Sequence, residues 1–137
     1  MEAVNPSLGP CFELQNKFSF CYDDDSKALI KKCYGSITVR DVIDSWNEVI
    51  CSFPLPEDIR GVILDYSNAH LNFDVVEHQM IVDFYIKNLN FFSKYRIGVV
   101  ANNPHNIVII MLIARADERY LLRPFTTIGA ALVWVRN

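Results

Sequence analysis

Apolar positions along the chain keep two rhythms, one suited to strands and one to helices. Phe18 to Tyr22 and Ala28 to Tyr34 are strand-like runs, and the polar stretch Asp23-Asp24-Asp25-Ser26-Lys27 between them predicts a hairpin turn. Thr38 then stands where an N-cap is expected, Asp41 suits the positive end of a helix, and Val39, Ile43, Trp46, Ile50 and Phe53 recur on one side. Pro54 and Pro56 stop that helix. From Arg60 to Tyr66 the chain holds Val62, Ile63 and Leu64 in succession, the pattern of a central strand covered on both faces.

A second helix is expected from about Asp74 to Asn90, with Val75, Ile81, Val82, Tyr85, Ile86 and Leu89 on the face that meets the sheet. Val76, Met80 and Phe84 form a second apolar stripe on its other side, and a surface helix with two stripes has something further to touch. Tyr95 to Ala101 reads as another core strand, and Asn102-Asn103-Pro104 opens a third helix. That helix is apolar around its whole circumference from Ile107 to Ile113, so it is expected to be buried on every side. Tyr120 to Phe125 is the last strand, and Thr126 or Thr127 caps a terminal helix that packs back onto the sheet.

The order β-β-α-β-α-β-α-β-α predicts an α/β fold: a mixed, largely parallel central sheet of about five strands with four helices. Met1 to Pro10 carries Pro6, Gly9 and Pro10 without periodicity. Residues 1–14 therefore read as a flexible N-terminal arm and 15–137 as a single domain.

That order, the Gly61-Val62-Ile63-Leu64-Asp65 segment before the second helix, and the close Pro124-Phe125-Thr126-Thr127-x-x-x-Ala131-x-x-Trp134 resemble the STAS domains. These occur in sulphate transporters and anti-sigma-factor antagonists, and the close is most similar to the SpoIIAA-like, stand-alone bacterial branch. The resemblance implies a STAS-like domain from about residue 15 onward and a small regulatory or ligand-binding role. In the antagonists a serine at the start of the second helix is reversibly phosphorylated. Here the corresponding stretch runs from Asn68 to Val75 without Ser or Thr, and Ser67 lies too early, at the expected strand end. The phosphoswitch is therefore not carried over.

Composition narrows the function classes. A net charge of -3 with no dense Lys/Arg cluster argues against nucleic acid as a partner. The longest apolar run, Ile107 to Ala114, is too short to span a bilayer, so no transmembrane segment is expected. Cys11, Cys21, Cys33 and Cys51 lack metal-ligand spacing, and no secretory signal opens the chain. They read as reduced thiols of a cytoplasmic protein. No phosphate loop, Cys-x-x-Cys pair, zinc-protease motif or nucleophile elbow is present, so no catalytic residue is assigned.

Strand carboxyl ends are where open α/β sheets take ligands, which makes Asp65, Ser67, Asn68, Asn102 and Asn103 the candidate ligand-binding residues. The same residue types are the usual ones for turns and helix caps. His70, Asp74 and His78 have the chemistry of metal ligands, but an N-cap role already accounts for Asp74, and neither a metal nor a cofactor is expected. The excess apolar surface leads to a homodimer, with Val76, Met80, Phe84, Ile109, Leu112 and Ile113 as candidate contact residues. The leading reading is a non-enzymatic regulatory or protein-interaction module. Its alternative is a carrier or sensor of an apolar or amphiphilic small molecule, held by Met80, Phe84, Met111 and Leu112. An enzyme using Asp65 or His70 ranks third.

Overall fold

A computed structural model describes residues 8–14, 17–52, 55–74 and 76–137. The first seven residues of the expected arm, and Phe53, Pro54 and Val75, lie outside the described residues. In chain order the elements are β1 (Leu8–Leu14), β2 (Phe18–Asp23), β3 (Ala28–Ile37), α1 (Val39–Ser52), β4 (Gly61–Leu71), α2 (His78–Lys87), α3 (Leu89–Phe92), β5 (Arg96–Val100), α4 (Pro104–Ala116), β6 (Leu121–Phe125) and α5 (Ile128–Arg136). The strands lie in the order β1-β2-β3-β4-β5-β6 in one sheet. The first two pairings are antiparallel and the last three parallel. This is the expected mixed α/β architecture.

Two features lie beyond the expected element order. Residues 8–14 pair with β2 as an edge strand, so the expected arm is corrected over that stretch. The second helix is also shorter and broken: it begins at His78, and Asn88 separates it from the single turn of α3, which takes Leu89. Asp74 and Glu77 explain the late start, because each side chain accepts from the other's backbone N–H at 3.1 and 2.9 Å. This capping box builds a turn before the helix proper.

Helices α1 to α4 cover one face of the sheet. Val39, Val42, Trp46 and Val49 of α1, Ile81, Val82 and Tyr85 of α2, and Ile109, Ile110 and Ile113 of α4 pack there against Phe18, Leu29, Leu64 and Val99. Only one side of α4 is buried: Val108 is exposed and Met111 and Leu112 are half-buried. Burial on every side is thus corrected, since a helix lying on one sheet face keeps an outer side. Ile109 and Ile113 are core residues, which corrects their place among the expected contact residues.

Helix α5 lies alone on the opposite face, with Ala131 and Val135 against Ala28, Ile30, Ile63 and Val100. Small residues permit the close approach. A Cβ at Gly61 would collide with the Arg96 carbonyl oxygen and come within 2.9 Å of Val135, and one at Gly98 would lie 3.3 Å from Ala131. Thr127 caps the helix by accepting from Ala130 N–H at 3.2 Å. At its other end Arg60 and Arg96 donate to the Arg136 and Trp134 carbonyls, placing positive charge where the helix dipole favours it.

Candidate functional site

The site grows from the overlong strand β4. It pairs with β3 as far as Leu71, whereas its pairing with β5 stops at Asp65. The projecting end would leave buried backbone groups open on the β5 side, at a cost of about 1–3 kcal/mol each. Asn106 of α4, fully buried, supplies what a neighbouring strand would. Its Oδ1 accepts from Leu71 N–H and its Nδ2 donates to the Ala69 carbonyl, both at 3.0 Å. Asn103 in turn N-caps α4 by accepting from Asn106 N–H at 2.9 Å. His105 adds a 2.7 Å hydrogen bond from Nε2 to the Leu71 carbonyl. A carbonyl can only accept, so Nε2 carries the hydrogen.

A cleft of about 310 Å³ opens at this corner, walled by His70, Leu71, Asn72, Phe73, Asp74, Glu77 and His105. The His70 and His105 rings stack, with centroids 4.8 Å apart and planes 20° from parallel. Two stacked rings direct their lone pairs in separate planes, which disfavours a shared metal. Among the described residues no group of three or more His, Cys, Asp or Glu is placed to hold one. Asp74 and Glu77 are engaged with backbone N–H groups in the capping box.

The expected ligand residues do not wall this cleft. Asp65 accepts from both the backbone N–H and the hydroxyl of Ser67, so these two form a local turn within the strand at the register shift opposite Lys32 and Tyr34. Ser67 therefore lies inside β4 rather than at its end. Asn68 and Asn102 are exposed, and Asn103 is the α4 cap. Of the residues weighed as metal ligands, His70 and Asp74 wall the cleft and His78 does not. His105 was not legible as a site residue, because it joins His70 only through the packing of α4 against the end of β4.

A second cluster lies sealed under α1. Lys31 is fully buried between the rings of Phe18 and Trp46, 4.8 and 4.7 Å from their centroids, and its Nζ donates to Ser45 Oγ. Burial pulls its pKa down to about 8, against a smaller upward pull from Cys33. Burial likewise pushes the Cys33 thiol up to about 12 and raises Tyr66 and Tyr85. Trp46 Nε1 makes no hydrogen bond of ordinary geometry, although it lies near enough to Tyr85 to oppose that rise. A Ser beside a Lys of lowered pKa has the composition of a nucleophilic dyad. Here the hydroxyl donates to the Val42 carbonyl at 2.9 Å and neither group meets solvent, so the pair is packing.

Cys21 is disulfide-bonded, and Cys33 and Cys51 are free. The expectation of four reduced thiols is corrected at Cys21. The cytoplasmic expectation loses that support. No helix among the described residues is long and apolar enough to cross a membrane.

No protein-family model matches the chain. No curated protein matches it at a significant level either. Among solved structures it is similar to an uncharacterised protein from Shewanella loihica PV-4, of the DUF3478 family and with a SpoIIAA-like fold, at a TM-score of 0.51 and 12% identity over 98% of each chain. At that identity the likeness is one of architecture, and it agrees with the strand order and helix placement above: the chain has a SpoIIAA-like α/β fold.

Proposed function

We propose that the chain is a small non-enzymatic regulatory or protein-interaction module that associates with a second copy of itself through the outer face of α2. The observation that carries this reading is the exposure of Met80 on α2 at 53% and of Val76, in the turn that leads into α2, at 80%, beside the cleft at the end of β4. Val108 is exposed on α4, which packs beside α2. Exposed apolar side chains on neighbouring elements favour a protein contact, since fully burying one contributes about 1.5–3 kcal/mol. Phe84 packs edge-on to Phe92 and borders the core, so it supports the face from beneath.

The groups around the cleft favour binding over catalysis, because Asp74, Glu77 and His105 are already engaged with the backbone and the Lys31–Ser45 pair is sealed. The carrier reading is weakened by the packing between α2 and α4. The core cavity there, walled by Ile81, Tyr85, Ile110 and Ile113 among others, is about 20 Å³. That admits one water rather than an apolar ligand. The test is amide hydrogen exchange of residues 76–87 across protein concentration. Protection that grows with concentration is expected, and protection independent of it would contradict the reading.

A further inference from the structure

The connection after β5 leads to α4 on one face of the sheet, and the chain after β6 leads to α5 on the other. Neighbouring parallel strands whose carboxyl ends feed opposite faces leave a crevice between the departing chains, the position where open α/β sheets take small ligands. A cavity of about 360 Å³ occupies it, lined by Ile107 of α4, Pro124 and Phe125 of β6, Thr126, and Ala130 of α5. That volume lies within the range of small-molecule sites.

We propose that this crevice binds a small organic carboxylate with a flat apolar body. Ile107, Pro124 and Phe125 form the apolar wall, and all three are only half-buried, so they keep an open side for the ligand. Arg123 is not itself in the crevice wall, but its guanidinium lies over the ring of Phe125, 5.6 Å from its centroid, and brings positive charge beside that wall residue. Arg123 is exposed and makes no ion pair with any described residue. No acidic residue stands in the first turn of α4 or α5 to repel a carboxylate. Thr126 adds an exposed hydroxyl at the rim. The crevice shares no residue with the α2 face, so this inference and the association reading stand or fall separately.

The probe is phenylacetate, compared with benzyl alcohol, which lacks the charge, and acetate, which lacks the ring. Amide NMR of the full chain is expected to show saturable shifts at Ile107 and from Phe125 to Ala130 with millimolar phenylacetate. Both comparison compounds should bind at least about tenfold more weakly. Ala130→Trp, which fills the crevice from an exposed helix position, should abolish the shifts. Arg123→Gln, on an exposed side chain, should weaken binding about tenfold and keeps the test independent of how well the tryptophan variant folds. No saturable shift at this segment, equal binding of benzyl alcohol, or shifts that survive both substitutions would overturn the proposal.

Discussion

Replacing Lys31 by Met should stabilise the protein, because the structure buries an ammonium with no carboxylate partner among the described residues. Held at about 8 instead of 10.5, the lysine disfavours the fold by about 3 kcal/mol at neutral pH. Contacts with the Phe18 and Trp46 rings and the bond to Ser45 offset part of that cost. Methionine fills a similar volume between the same rings, and Ser45 keeps its bond to the Val42 carbonyl, so no hydroxyl proton is orphaned. A gain of about 1–3 kcal/mol at pH 7 is expected.

The sign of the pH dependence follows from the lowered pKa. Between about 8 and 10.5 the unfolded chain holds a proton at Lys31 that the folded chain has released, so this group makes stability rise with pH across that window. The advantage of Met over Lys must therefore shrink across it. Cys33, Tyr66 and Tyr85, with raised pKa values, work in the opposite sense at alkaline pH. They are common to both proteins and cancel to first order in the difference. Urea unfolding of wild type and Lys31→Met at pH 7 and near pH 10 measures it. A methionine variant less stable than wild type at pH 7, or an advantage unchanged at high pH, would refute the reasoning.

Asn106→Leu should cost about 3 kcal/mol, read by urea unfolding, since it leaves the Leu71 N–H and the Ala69 carbonyl buried without partners. Gly61→Ala should cost about 1–3 kcal/mol through collision with the Arg96 carbonyl, and Gly98→Ala less, because its nearest neighbours are the side chains of Ile63 and Ala131. Thermal unfolding of the two variants side by side tests that order.

Where periodicity follows burial, the elements were legible in the sequence. Val39, Trp46, Ile43 and Ile50 gave α1, the run Val62 to Leu64 gave β4, and Thr127 gave the start of α5. Edge strand β1 was not legible, since Gly9 and Pro10 break its alternation and only pairing with β2 defines it. The reach of β4 to Leu71 depends on Asn106, 35 residues further on, and no local pattern announces such a partner. The same holds for the site. His70 was visible as a candidate, but His105 becomes its neighbour only through tertiary packing. Residue type alone singles out Asp65, Ser67 and Asn103 at strand ends, and the structure uses them as turn and cap residues.

Sedimentation velocity of wild type beside a Val76→Asp/Met80→Glu variant tests the association through α2 most directly. Both positions are solvent-exposed in the single chain, so the variant should keep its fold and its thermal midpoint. Wild type should sediment as a dimer at micromolar concentration and the variant as a monomer. A wild type that remains monomeric there, or a dimer that the two charges leave intact, would contradict it.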